Sequence, residues 1–402
     1  MKNSVSVECM VVGAGPAGLI AAIALACAGV ETALIAPRAR GTDYRTTALL
    51  RGSVNALTAL GVWDRCRTHA APLRIIRIID DTRRLLRAPE TRFAADEVGF
   101  EAFGSNIENR FLLAALTSRA RELASLSWFD EEVEALDLGD EKASARLPSG
   151  TAISTRLVIG ADGRHSLCRA CAGIEIDSTP YPQTALTFNL AHGRPHFDTS
   201  TEFHMETGPF TLVPLPGLRS SLVWVVDPSE APALSGLPDT RLAIAIEHRC
   251  HSILGKVELE RGRGVFPLFL EKASRCGAGR VALVGEAAHV LPPIGAQGLN
   301  LGLRDAATLA ELVVTAHRGG RDVGASELTD TYDRVRRADV GTRTLMVDIL
   351  NRSLLSDFLP LQLGRGLSVF LLNHVGPLRR AAMREGMMPA AAQPRLLLGE
   401  LP

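Results

Sequence analysis

The stretch Val11-Val12-Gly13-Ala14-Gly15-Pro16-Ala17-Gly18 leaves this chain few folds to choose from. The apolar run from Val5 to Val12 reads as a buried parallel strand. Pro16 to Ala28 reads as a helix, and Gly29 suits its C-terminal cap. Thr32 to Ile35 reads as a second strand, which completes a βαβ start. Glycines between strand and helix allow a tight turn and close backbone approach, so that a dinucleotide pyrophosphate can rest on the helix N-terminus. The place for a carboxylate that would hold an adenosine ribose reads Ala36-Pro37. Taken alone, the motif leaves FAD, NAD and a vestigial site all open.

At 402 residues and 46% hydrophobic content the chain can bury a large core, and its length points to two or three domains. Lys plus Arg (44) cancels Asp plus Glu (44), so no whole-chain field favours nucleic acid or an anionic membrane. The seven cysteines are scattered, as expected of reduced thiols in a cytoplasmic protein. Cys168 and Cys171 form one C-x-x-C without a second pair, so no metal site is expected. The N-terminal MKNSVSVECM does not read as a signal peptide, and Gly18 to Val30 falls short of the roughly 20 residues that span a bilayer. Leu354 to Val375 is apolar but interrupted by Asp357, Pro360, Gly364, Arg365 and Gly366, a pattern for a buried or membrane-touching helix pair.

Further helices are expected over Ser53 to Leu60 and Phe111 to Leu123, and a small β-meander between Ser127 and Val158. From Thr179 to about Phe266, TALTFNLAHG, TEFHM, FTLVPL and SSLVWVV read as strands of a separate sheet. RVALVG then returns as a buried strand, followed by a Pro/Gly-rich loop, a helix from about Leu299 to Ala316, and last helices from Glu327 onward. The expected division is a nucleotide-binding domain in pieces (1–72, 101–178, 271–345), substrate-domain strands at 73–100 and 179–270, and a C-terminal helical region at 346–402.

Two more motifs follow buried strands. One is Gly160-Ala161-Asp162-Gly163-Arg164-His165-Ser166, with Arg169 beyond it. The other is Gly285-Glu286-Ala287-Ala288-His289, then Pro292-Pro293-Ile294-Gly295-Ala296-Gln297-Gly298-Leu299-Asn300. In this order the three motifs resemble the flavin-dependent aromatic hydroxylases of the para-hydroxybenzoate hydroxylase fold. Asp43-Tyr44-Arg45-Thr46-Thr47-Ala48-Leu49, GSVNALTALGVWD, GPFTLVPL with SSLVW, and PIGAQGLNLGLRDA narrow the resemblance to the flavin hydroxylases of ubiquinone biosynthesis.

The resemblance implies an α/β fold: a Rossmann-like FAD-binding domain built from discontinuous segments, an inserted β-sheet substrate domain and C-terminal helices. It implies that Gly13, Gly15 and Gly18, with Pro16 and Ala17, hold the FAD pyrophosphate, that Arg45 lies near the dinucleotide, and that Asn109 or Arg110 approaches the cofactor edge. Asp162 would pin its loop, and Gly285 and Glu286 would meet the ribityl and phosphate, with glutamate standing where the family usually has Asp or Asn. Pro293, Gly295, Gln297, Gly298, Leu299 and Asn300 would form a loop beneath the isoalloxazine, the following helix N-terminus facing the charge that gathers on reduction.

The implied reaction is ring hydroxylation of a polyprenylated phenol with NAD(P)H as transient co-substrate and O2, through a flavin C4a-hydroperoxide, without a protein nucleophile or metal. No catalytic base is identified: His192, His196 and His204 read as surface or packing residues, and His289 as a packing or hydrogen-bonding residue near the ribityl chain. Phe203, Pro214, Leu215, Trp224 and Pro292 are the expected ring-pocket residues. A long prenyl tail implies contact with the inner membrane or a biosynthetic complex, for which Leu354 to Val375 is the expected surface. Hydroxylation of a soluble aromatic compound and a catalytically silent flavoprotein subunit remain as alternatives, the latter resting on Ala36 and Glu286. Ala36 further implies weakened FAD retention.

Overall fold

The computed structural model describes residues 4–38, 41–84, 87–355, 374–387 and 393–402. Its frame is a mixed eight-stranded sheet whose parallel centre is Ser4–Val12, flanked by Thr32–Ile35 and Ala152–Gly160, with Leu126–Phe129 and Val281–Leu283 outside them. Residues 9–12 and 157–160, with Thr32–Ile35 and Val281–Leu283, are buried on both faces, which explains their uninterrupted apolar runs. The helix Pro16–Cys27 carries buried residues all round and packs on the long helix Gln297–Arg318. Gly29 ends the first helix at φ +83°, a left-handed conformation that costs glycine least.

A nine-stranded sheet forms the second layer system. Its centre is Ile176–His192, Arg219–Val226, Gly208–Leu215 and Thr199–Met205, with Gly264–Ala273 on one side and Ile75–Asp80 and Thr91–Ala94 on the other. One face of this sheet is covered by the helix Asp239–Arg249, which buries Leu242 and Ile246 against Phe188, Phe210 and Trp224. That helix and the shorter Ala231–Ser235 interrupt a stretch that reads as strands alone. The other face turns to the flavin-motif side. Across that seam lies a three-stranded sheet of Thr46–Leu50, Gly104–Glu108 and Ala70–Pro72.

Chain order places the nucleotide motifs at one end of the frame, since each follows the carboxyl end of a central parallel strand. Among the described residues, the helices expected from Glu327 onward are Ser326–Leu355, which runs without a break past Val347, and Gly376–Met387. The first of these packs against Gln297–Arg318. Ser326–Leu355 is tied to the nine-stranded sheet where the Tyr181 hydroxyl donates to Asp348 and Asn351 donates to Gln183. The expected membrane-contact segment, Leu354 to Val375, lies almost entirely outside the described residues. Among the described residues, no helix is long and apolar enough to cross a membrane.

Candidate active site

The three motif glycines at the N-terminus divide their work. A Cβ at Gly13, where φ is +105°, would stand 2.2 Å from the Ala161 carbonyl oxygen. One at Gly18 would stand 2.1 Å from the Gly13 carbonyl oxygen. These two glycines let strand, turn and helix approach one another. Gly15 is different: a Cβ there meets nothing within 4 Å, and the residue is exposed. Pro16 occupies the first helical turn, no side chain caps the helix, and its first turn carries no acid. Backbone N–H groups at this end therefore face open space with positive dipole, as an anionic pyrophosphate requires.

The third motif repeats this arrangement at the other helix. Ala296 adopts φ +55° as the N-cap of Gln297–Arg318, again with no side-chain cap and no acid in the first turn. Gly298 has nothing within 4 Å of its Cβ position, and Gly295 has only the Gln297 amide. Pro293, Gly295 and Gly298 are exposed while Pro292, Ile294 and Asn300 are buried, so the loop offers a low, side-chain-poor surface on one side. Asn300 fixes it from beneath: its Oδ1 accepts from Leu50 N at 2.9 Å and Ser53 Oγ at 2.6 Å, and its Nδ2 donates to Ala48 O at 2.8 Å. Gln297 is engaged locally, donating to Gly295 O and accepting from Arg343. Leu299 packs on the main core, and a Cβ at Gly285 or Gly302 would stand 3.0 or 3.2 Å from Ala17 Cβ. Two open glycine cradles at uncapped helix starts fit a dinucleotide flavin.

Charged groups line the path between the cradles. Arg45 donates two side-chain bonds to Asp43, which also accepts from Asn109. Burial raises the Asp43 carboxyl, but these bonds outweigh it and hold the group below its ordinary value. Exposed Glu286 sits close enough for its charge to raise both Arg45 and Arg164, whose main support comes from Asp43 and Glu271 respectively. Asp162 pins the second motif loop, accepting from Ser166 Oγ at 2.6 Å and Cys168 N at 3.0 Å. Arg164 joins that loop to the substrate sheet through a bidentate pair with Glu271 at 2.9 and 2.6 Å. Arg110 turns to the seam instead, pairing with buried Glu108 and stacking over Tyr44 and Phe111. There a cleft of about 400 Å³ opens among Tyr44, Glu108, Arg110, Arg219, Glu260 and Arg261.

Strand parity corrects the expected ring pocket. Phe203, Phe210 and Trp224 pair in register and pack into the helix-covered core, with Phe203 and Trp224 1% and 5% exposed. Pro214 shares their parity, and its carbonyl accepts from Asn106. Phe203, Trp224 and Pro214, all expected in the ring pocket, thus belong with Phe210 to the far side of the sheet, because side chains alternate faces along a strand. Leu215 lies on the near side with Val213, Ser221, Val223 and Thr187. Contacts across the seam identify that side: Thr46 Oγ1 donates to Ser221 Oγ at 2.8 Å, and Asn189 Nδ2 donates to Tyr44 O at 2.8 Å. Arg45 also stands over the Phe266 ring, which lies in register with Ala185 on the same face. Pro292 is buried just after His289–Val290, a strand that pairs with Glu271–Lys272 of this sheet. The Pro292–Asn300 loop therefore springs from the sheet's edge.

The histidines have local partners. His192 binds Arg194 O and Ser220 Oγ, with burial lowering its pKa; His196 reaches Leu215 O, and His204 reaches Glu202. His289 is 2% exposed and bound to Asp305. Sequence reasoning missed Asp305 together with Arg336 and Asp339, a buried charge cluster described below. Its one available signal was a carboxylate four residues after Leu301 on an otherwise buried helix stripe.

Residues 6–347 match the family model described as FAD binding domain. The chain is 35% identical to ubiquinone hydroxylase UbiL of Rhodospirillum rubrum, over 94% of this chain and 89% of that protein. It is 28% identical to 3-demethoxyubiquinol 3-hydroxylase of Escherichia coli, covering 94% and 97% respectively. In fold it is similar to p-nitrophenol 4-monooxygenase PnpA of Pseudomonas putida, with TM-score 0.77, 20% identity, and coverage of 96% and 97%. The chain belongs to the FAD-binding-domain family, and within it to the FAD-dependent hydroxylases of ubiquinone biosynthesis, aromatic-ring monooxygenases of the para-hydroxybenzoate hydroxylase fold.

Proposed function

We propose that this protein hydroxylates the ring of a polyprenylated phenol on the path to ubiquinone, consuming NAD(P)H and O2. The observation that carries this reading is near-full-length similarity to a protein named ubiquinone hydroxylase, at 35% identity. Bound FAD supplies the redox and oxygen chemistry, and the protein supplies binding, orientation and exclusion of water. The backbone at Gly15 and the uncapped helix start at Pro16 hold the pyrophosphate. Arg45 adds a cation, and the Pro292–Asn300 loop supports the ring system with a helix N-terminus behind it.

The substrate ring lies against the near face of the nine-stranded sheet. Thr187, Thr211, Val213 and Val223 are half-buried there, beside buried Ala185 and Val225. Thr211, Val223, Thr187, Ala185 and Phe266 themselves offer shape and hydroxyl groups, while Arg219, in register with Leu215, stands at the end of this wall. The prenyl tail is the reason to propose contact with a membrane surface or a lipid-presenting partner. Comparing quinone-pathway lipids by mass spectrometry in a strain lacking the gene and in its parent tests the reading. Accumulation of a prenylated phenol short of one ring oxygen is expected; an unchanged lipid profile with no second hydroxylase in the strain would refute it.

A further inference from the structure

Asp305 is 1% exposed and lies on the helix that begins at the flavin-facing loop. Its carboxylate gathers three donors from two segments, the turn at residues 285–289 and the helix Ser326–Leu355. Oδ2 accepts from Gly285 N at 2.9 Å and from His289 Nε2 at 2.7 Å, and Oδ1 accepts from Arg336 Nε at 2.7 Å. Burial opposes the charge, but His289, Arg336 and the bonds themselves outweigh it and keep the carboxyl below its ordinary value. An ionised carboxylate only accepts, so His289 carries its hydrogen on Nε2.

The cluster continues toward the loop. Arg336 Nη1 donates to Asp339 at 2.7 Å, and Asp339 also accepts from Arg304 at 2.8 Å and Arg343 at 3.0 Å. Arg343 Nη1 in turn donates to Gln297 Oε1 at 3.1 Å. The chain of contacts therefore starts at the Gly285-Glu286 turn and ends at the first residue of the helix that follows the loop. At the Asp305 end the packing is tight: a Cβ at Gly302 would stand 3.2 Å from both Ala17 Cβ and Gly285 Cα.

We infer that Asp305 is a positioning residue for the flavin. Through Gly285 it sets the third-motif turn, and through Arg336, Asp339 and Arg343 it sets Gln297, so the two flavin-contacting segments share one internal reference. Three acceptor bonds on two oxygens cannot be reproduced by asparagine, which offers one acceptor oxygen and places an NH2 against a donor. The inference rests on FAD binding alone and is independent of which phenol is hydroxylated.

The test uses the full chain with FAD and three variants. Asp305→Asn and Arg343→Gln alter the two ends of the cluster. Arg280→Gln breaks a pair with Asp322 at the start of the Val281–Leu283 strand, the end opposite the third motif, and reports general loss of stability. FAD dissociation constants come from flavin fluorescence titration, and the visible absorption bands of bound flavin report its surroundings. Asp305→Asn and Arg343→Gln are expected to weaken FAD about tenfold or more and to shift the bound-flavin bands, whereas Arg280→Gln stays within about twofold of the parent without a band shift. If Asp305→Asn does not fold, Arg343→Gln alone decides. Unchanged affinity and bands in the folded cluster variants, or losses of FAD that merely track thermal destabilisation in all three, would overturn the inference.

Discussion

Ser53 donates its hydroxyl hydrogen to Asn300 at 2.6 Å, joining residues 247 positions apart in sequence and locking the Pro292–Asn300 loop onto a strand–helix corner. Asn300→Ala removes this acceptor and leaves the Leu50 N–H and the Ala48 carbonyl without their side-chain partner. These groups are half-buried, so each costs toward the low end of about 1–3 kcal/mol, and a loss of about 1–3 kcal/mol is expected from denaturant unfolding of the apoprotein. FAD affinity falls with it.

The motif glycines separate folding from binding. Gly13→Ala must displace the Ala161 carbonyl and hold a non-glycine residue at φ +105°, so little folded protein is expected. Gly15→Ala meets no protein atom within 4 Å. The apoprotein should keep its melting temperature while FAD binds about tenfold or more weakly, because the new methyl occupies the space left for the pyrophosphate. Equal FAD affinity in Gly15→Ala and parent would mean the cradle is not used.

Ala36 follows the second strand, with its backbone carbonyl held by Trp128 Nε1 and its N–H by Phe129 O. The residue is 5% exposed, and the glycine motif predicts a ribose-binding carboxylate at this position. Ala36→Glu is expected to tighten FAD by about tenfold to a hundredfold, the worth of a charged hydrogen bond of about 1.5–3 kcal/mol. Flavin retained per protein after dialysis is the readout. No gain would show that ribose recognition lies elsewhere.

Arg336 is 1% exposed and compensates both Asp305 and Asp339. Arg336→Met should destabilise the protein by about 3–5 kcal/mol near neutral pH by stranding buried carboxylate charge. Both carboxyls have depressed folded values, so their contribution is complete above the ordinary Asp value of about 4 and fades as pH falls through the folded values. The gap between parent and variant is therefore widest at neutral pH and narrows in acid. Urea midpoints at several pH values measure this; a gap that widens in acid would reverse the assignment of charge.

Parity on the sheet gives opposite expectations for neighbouring residues. Val223→Trp narrows the near face and should lower turnover of a prenylated phenol more than tenfold with FAD affinity intact. Trp224→Phe removes an indole from the helix-covered core. It should lower stability by about 1–2 kcal/mol and leave KM unchanged. Steady-state kinetics beside thermal unfolding distinguishes the two.

The strand–glycine–helix start, the order of the three motifs and the Pro/Gly loop were legible in the sequence because each is a local pattern with a local cause. The faces of the substrate strands were not. FTLVPL and SSLVWVV are apolar on both sides, and only the helix Asp239–Arg249 decides which side is sealed. That helix is short, with polar residues at both ends, and so was read as part of the strand-rich stretch. Asp305 and Arg336 were hidden for another reason: their pairing depends on two helices meeting, which no spacing within either helix announces.

The central claim is ring hydroxylation of a prenylated phenol by this flavoprotein. Its most direct test supplies the purified holoprotein with NAD(P)H, isotopically heavy O2 and a polyprenyl phenol, then weighs the product. One heavy oxygen in the ring, with far slower conversion of the same phenol lacking its tail, is the predicted result. Reduced nicotinamide consumed without any oxygen entering the ring, or equal conversion of the tailless phenol, would contradict it.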